Sequence, residues 1–162
     1  MDMANEKDVL QLIQQNISFI LVGSTHPGNI GAAARAMKNM GIHQMGLVSP
    51  KEFPHEKAFF RAKAATDVLE KAVIYKSLKE AISETKLVIG TSARNRKVPW
   101  PIVSPSEAAE EIVSFSKTSE DKTAVVFGRE DRGLTNEELG LCNLHVHIPS
   151  SDEYPSFCLL YT

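Results

Sequence analysis

The chain has 162 residues, with 43% hydrophobic and 23% charged side chains and a formal net charge of −2 at pH 7. At roughly 100–200 residues per domain this is one domain, and the balance excludes a disordered or low-complexity chain. The longest apolar run is six residues, Ile17 to Val22 with Ser18 counted in, far short of the roughly 20 that span a bilayer, and the polar N-terminus excludes a secretory signal.

Residues 17–22 are apolar and β-branched and stop at Gly23, the pattern of a buried parallel strand. Ser24-Thr25-His26-Pro27-Gly28-Asn29 is a turn cluster with Asn29 as the expected helix cap. The stretch 30–40 then reads as an alanine-rich helix closed by Gly41. Within it Ile30, Ala33, Ala34 and Met37 form an apolar stripe, while Gly31, Arg35 and Lys38 share another face, so Arg35 is expected to point away from the core. A strand over 45–48 is followed by a helix over 56–70, with Phe59, Phe60, Ala64 and Val68 as its inner face. A strand over 73–75 and a short helix over 78–85 come next.

A strand over 87–90 runs into Thr91-Ser92-Ala93-Arg94, and Pro99, Pro101 and Pro105 predict an irregular loop over 98–105. Ser106 is the expected cap of a helix reaching residue 115. The strand 123–127 ends at Gly128, Thr135 and Glu138 form the capping box of another short helix, and 144–148 is the last strand, stopped by Pro149. Strands alternating with helices predict a single α/β domain over 1–162, with a mostly parallel sheet flanked by helices.

In such a sheet, ligands bind beyond the carboxyl ends of the strands. Four of those ends carry unusual loops: 23–29, 90–94, 128–133 and 149–157. Five of the six arginines, Arg35, Arg94, Arg96, Arg129 and Arg132, lie in or just after them. Other chemistries lack their signatures. The phosphate-cradling patterns G-x-x-x-x-G-K-[ST] and G-x-G-x-x-G do not follow the first strand, and no G-x-S-x-G nucleophile elbow exists. His26, His43 and His55 are isolated. His145 and His147 stand two apart without cysteine or carboxylate partners at ligand spacing, so they read as structural and no metal is expected. The two cysteines, Cys142 and Cys158, have no metal or redox spacing, which fits a reduced, cytoplasmic protein without a membrane segment.

The motifs resemble those of the SPOUT class of RNA methyltransferases, and within it the TrmJ-type tRNA 2′-O-ribose methyltransferases. The first motif runs Thr25-His26-Pro27-Gly28-Asn29-Ile30-Gly31-Ala32-Ala33-Ala34-Arg35-Ala36-Met37. Gly90-Thr91-Ser92-Ala93-Arg94 continues to Val98-Pro99-Trp100. The second motif is Phe127-Gly128-Arg129-Glu130 with Gly133-Leu134-Thr135-Asn136-Glu137-Glu138, and the third begins at Ile148 and passes through Tyr154, Pro155, Ser156 and Phe157. The resemblance covers about residues 16 to 160. It implies an α/β sheet closed by a C-terminal trefoil knot, and S-adenosylmethionine held by Thr91, Ser92, Ala93, Gly128, Ile148, Pro155, Ser156 and Phe157. It further implies methyl transfer to a tRNA ribose hydroxyl at anticodon-loop nucleotide 32, a homodimer, and catalytic roles for Arg35 and Asn29, with Glu130 and Ser156 beside them.

Arginine stays protonated. Arg35 is therefore expected to hold a phosphate and stabilise a developing alkoxide, while Arg94, Arg96, Arg129 and Arg132 position the RNA. Gly128 is expected to admit the cofactor to the backbone. The family's Ser-Leu-Asn-Leu reads here Ser156-Phe157-Cys158-Leu159, and the helix that completes the knot is expected to be cut short at Thr162. An RNA-binding module without catalysis is the alternative.

Overall fold

The apolar runs form one seven-stranded sheet. The computed structural model describes residues 3–93 and 100–150. Helix α1 (Met3–Asn16) leads into β1 (Ile17–Val22), followed by α2 (Pro27–Asn39), β2 (Gln44–Val48), α3 (Glu56–Ala62), α4 (Thr66–Glu70), β3 (Val73–Tyr75) and α5 (Leu78–Ala81). The second half supplies β4 (Thr85–Ser92), β5 (Ile102–Val103), α6 (Pro105–Thr118), β6 (Lys122–Phe127), α7 (Asn136–Gly140) and β7 (Leu144–His147). The strand order is β3-β2-β1-β6-β4-β7-β5, and every pairing is parallel. Among the described residues no helix is long and apolar enough to cross a membrane.

Because side chains alternate across a strand, the two faces of the sheet bury different sets. Leu21 and Leu47 pack under α2, α3 and α4 with Ile30, Met37 and Val68. Ile20, Val22, Val88, Ala124 and Val126 face the opposite way, onto Leu134, Leu139 and Cys142 around α7. Helix α6 covers Ile89 and Val146. Between α2 and α6 lies an apolar groove of about 550 Å³, floored by Phe19, Leu21, Val125 and Phe127.

Helix α2 begins earlier than its sequence suggests. His26 is the N-cap and Pro27 the first helical residue, where a missing N–H costs nothing. Asn29 therefore lies inside the first turn rather than capping it. The helix closes as expected: Gly41 has φ +70°, its N–H donates to the Lys38 carbonyl at 3.0 Å, and Ile42 N–H donates to the Met37 carbonyl at 2.9 Å. The apolar stripe Ile30, Ala33, Ala34 and Met37 is buried as predicted.

Gly31 departs from the expected open face. It is the point where α3 crosses α2, and a Cβ there would come within 2.0 Å of the Ala58 carbonyl oxygen. So close an approach leaves room only for small side chains, and α3 buries Ala58 and Ala62. Phe60, expected inside, is turned out and 72% exposed, and Ala64 is exposed too. The predicted single helix over 56–70 breaks at Lys63 (φ +54°) into α3, a 3₁₀ turn and α4. Lys38 braces that break by donating to the Ala64 carbonyl at 2.9 Å and pairing with Asp67 at 2.8 Å.

Three further boundaries differ. Ser104, not Ser106, caps α6, because Ser104-Pro105-Ser106-Glu107 holds both a proline at the first helical position and a reciprocal capping box. The proline loop contains the two-residue strand β5, and α1 occupies a segment assigned no element from sequence. Gly31→Ala should cost about 1–3 kcal/mol, the range for overpacking a tight contact. Urea denaturation checks this; an unchanged midpoint would contradict the α2–α3 approach.

Candidate active site

The sheet order brings together residues that the sequence keeps far apart. Strands β6, β4 and β7 are neighbours, so the loop after Phe127, the Thr91–Ser92–Ala93 turn and Ile148 leave the sheet side by side. Ser92 pairs with His147, and Ile148 N–H donates to the Ser92 carbonyl at 3.0 Å. Thr91 is buried and its hydroxyl donates to the Val126 carbonyl at 3.0 Å. That leaves the Ser92–Ala93 turn, rather than the Thr91 hydroxyl, at the rim. Arg94, Arg96, Pro155, Ser156, Phe157 and Cys158 lie outside the described residues.

The second-motif loop is a tight return. Arg129 and Gly133 exchange backbone hydrogen bonds at 3.2 and 2.8 Å, and Gly133 has φ +71°. Gly128 sits under that return: a Cβ there would lie 2.1 Å from the Gly133 carbonyl carbon and 2.2 Å from Leu134 N. The chain's own backbone thus requires this glycine, where the sequence reading assigned the need to a ligand.

Arg129 and Glu130 point to opposite partners. The Arg129 guanidinium grips Glu138 through two hydrogen bonds of 3.0 Å, and its stem crosses Gly23, where a Cβ would meet Nε at 2.8 Å. Glu138 also closes the predicted capping box on Thr135. Burial would raise the Glu138 carboxyl, but the Arg129 hydrogen bond and the Thr135 amide keep it below its ordinary value. Arg129 is therefore tied up within the fold, whereas Arg132 is exposed and, among the described residues, pairs only with its neighbour Asp131.

Glu130 reaches back to the first motif. It accepts from Ser24 Oγ at 2.7 Å, from Thr25 N–H and Oγ1 at 3.1 and 3.0 Å, and from Asn29 Nδ2 at 3.2 Å. Burial alone would raise its carboxyl. The hydrogen bonds from Ser24, its own backbone, Thr25 and Asn29 prevail and hold it at about 2, against an ordinary 4.5. Asn29 and Glu130 are thus brought into contact as a pair, and Arg35 stands six residues beyond Asn29 on the same helix, exposed and without a hydrogen-bond or ion-pair partner among the described residues.

Four participants were missed from sequence. Ser24 and Thr25 are ordinary turn residues until Glu130 is placed beside them. Glu138 was seen as a capping residue only. His145 is structural as predicted, buried with Nε2 2.8 Å from the Leu139 carbonyl. His147 is not so placed: its Nδ1 is buried with no hydrogen-bond partner among the described residues, one position before Ile148 and opposite Ser92. An orphaned polar atom at that strand end is what a pocket awaiting a polar ligand presents. The Ser92–Ala93 turn, the 128–133 return and the His147–Ile148 end together fit a nucleoside-bearing cofactor.

The all-parallel sheet, with candidate loops on three adjacent strand ends, defines an open α/β fold that solved structures of methylases share. A probable methylase family protein from Haemophilus influenzae is 43% identical, covering 90% of this chain and 60% of that one, with a TM-score of 0.82. TrmJ from Z. mobilis is 32% identical, covering 88% and 62%, with a TM-score of 0.81. The chain belongs to the SpoU rRNA Methylase family, whose sequence profile matches residues 16–160. A tRNA (cytidine/uridine/adenosine-2′-O-)-methyltransferase from Pseudomonas aeruginosa is 51% identical over 143 residues, which are 88% of this chain and 55% of that protein. The chain thus spans little more than half the length of the curated relatives it matches.

The depressed Glu130 value makes a test. Its folded pKa lies below the unfolded one, so the linked stability is present above about pH 4.5 and is lost as pH falls toward 2. Glu130→Gln should be less stable than the parent at neutral pH, and its stability should decline less steeply between those values. Urea unfolding across pH reads this; parallel pH profiles would show that the carboxylate is not held by these donors.

Proposed function

We propose that this chain is the catalytic domain of an S-adenosylmethionine-dependent tRNA 2′-O-ribose methyltransferase acting at anticodon-loop nucleotide 32. The observation that carries the reading is the conjunction of an exposed Arg35, without a partner among the described residues, with a first-motif loop pinned by Glu130 beside three adjacent strand ends. The names of its relatives support tRNA and the ribose hydroxyl as substrate.

When bound, S-adenosylmethionine would supply a methyl group on a cationic sulfur, the electrophile for a ribose oxygen. Ser92, Ala93, Gly128 and Ile148 would line its pocket with backbone groups, and His147 Nδ1 would meet one of its polar atoms. The residues Pro155, Ser156 and Phe157 would complete the pocket, as the family resemblance implies. Arg35 would hold the phosphate next to the target ribose and stabilise negative charge building on the 2′-oxygen. Glu130 is a positioning residue in this scheme. Its oxygens are occupied by donors and its low pKa makes it a poor proton acceptor, so it fixes Asn29 and the loop instead. Arg132, Arg94 and Arg96 would contact RNA phosphates, whereas Arg129 would serve them only by shaping the loop.

Arg35→Ala should lower single-turnover methyl transfer to unmodified tRNA by about 10²–10³-fold, the cost of removing one charge-stabilising donor. Calorimetric affinity for S-adenosylmethionine should be unchanged, since the interaction matters mainly in the transition state. Near-parental transfer by the variant would remove Arg35 from the mechanism. A parent chain that binds tRNA but transfers nothing would leave the non-catalytic RNA-binding module.

A further inference from the structure

The sixth arginine lies in none of the strand-end loops, yet the fold carries it to the first motif. Arg61 is on α3, and α3 packs along α2. Gly28 and Gly31, three apart, share one face of α2 and leave a furrow there. A Cβ on Gly31 would come within 2.9 Å of Arg61 Cβ, and one on Gly28 within 3.6 and 3.7 Å of Arg61 Cγ and Nε. The arginine stem therefore runs along the furrow toward the start of α2, the end that holds Asn29 and its bond to Glu130.

The Arg61 guanidinium shows, among the described residues, none of the polar ties that a structural arginine has. Arg129 spends both terminal nitrogens on Glu138. Arg61 is exposed and has no hydrogen-bond or carboxylate partner among the described residues. Its neighbour Phe60 is equally out of place by packing criteria. Phe59 stacks on Phe53 with ring centroids 6.3 Å apart, while Phe60 is 72% exposed and carries the Lys63 ammonium 4.2 Å above its ring. A guanidinium without a polar partner among the described residues and, on the same short helix, an exposed aromatic ring with a cation on one face are chemistry suited to a chain that is both anionic and flat-based.

We propose that α3 is a second RNA-contacting surface, in which Arg61 takes a backbone phosphate adjacent to the one held by Arg35, and Phe60 with Lys63 offers a stacking face to an unpaired base. This rests on the reading of tRNA as the substrate.

Fluorescence anisotropy of a labelled unmodified tRNA transcript, titrated with the full chain over a series of KCl concentrations, tests it. Arg61→Gln keeps most of the stem in the glycine furrow and removes the charge. Its affinity should fall roughly tenfold and its log–log salt slope by about 1, as for the loss of one phosphate contact. Arg61→Lys should restore the slope. Phe60→Leu should weaken binding by roughly fivefold or more at every salt concentration with the slope unchanged, because stacking releases no counterions. Melting temperature and S-adenosylmethionine affinity should stay at parental values in all three. A parent that binds and methylates tRNA, with Arg61→Gln and Phe60→Leu indistinguishable from it, overturns this surface and leaves the methyltransferase reading intact. So does a loss in Arg61→Gln matched by a fall in melting temperature, which would make Arg61 a packing residue. A parent with no affinity for tRNA overturns both.

Discussion

One carboxylate joins the two motif loops into a single body. Strands β1 and β6 are register neighbours, Leu21 opposite Phe127, so their loops leave the sheet together. Glu130 on one loop then gathers Ser24, Thr25 and Asn29 on the other. The preceding residue, Arg129, clamps the opposite side through Glu138 and lies across Gly23. Two consecutive residues thus brace the rim in two directions; the glycines at 23 and 128 let backbone and side chains come that close, and Gly133 supplies the positive φ of the return. The cost of ordering these groups is met during folding, which is the physical meaning of a preorganised site.

The strands were legible because burial on both faces writes itself as an apolar run. Residues 17–22 match β1 in full, and the other strands agree to within a residue or two at most ends. Capping chemistry was legible at Thr135 and Glu138 but not at Ser104 and Glu107, where a second serine two residues on offered a competing cap, and Gly41 ended its helix as its type suggests. Contacts across a hundred residues were not. Nothing local marks Glu130 as the partner of Ser24, or Gly31 as a helix crossing, and the outward turn of Phe60 follows only from that crossing. Gly128 was recognised as indispensable, but the atom that forbids a side chain belongs to Gly133. Helix α1 escaped because its apolar residues are few and Leu10 remains exposed even in the fold.

Bulk charge is a poor guide to this surface. The chain is acidic overall, but its cations divide by partner. Arg129 and Lys38 are engaged in bracing loops and helices, and the Lys122–Glu84 and Arg132–Asp131 pairs are solvent-exposed, a class that contributes little to stability. Arg35 and Arg61, from different helices, have no such partner among the described residues, and the α2–α3 packing sets them on one side of the molecule. The distribution of unpartnered charge, rather than its sum, is what a polyanion would encounter.

The strand order also dictates a history for the molecule. Strands β1, β2 and β3 come from residues 17–75, and the other four come from residues 85–147, with β1 and β6 making the seam between the halves. A chain emerging from the ribosome therefore carries the outer edge of β1 unpaired until β6 has been synthesised about a hundred residues later. Such an edge is a template for wrong partners, and pairings this distant along the chain form slowly. The Glu130 contacts bridge the same seam, so no half of the protein made alone contains the site. The joined motif loops therefore exist only once both halves have been synthesised and paired.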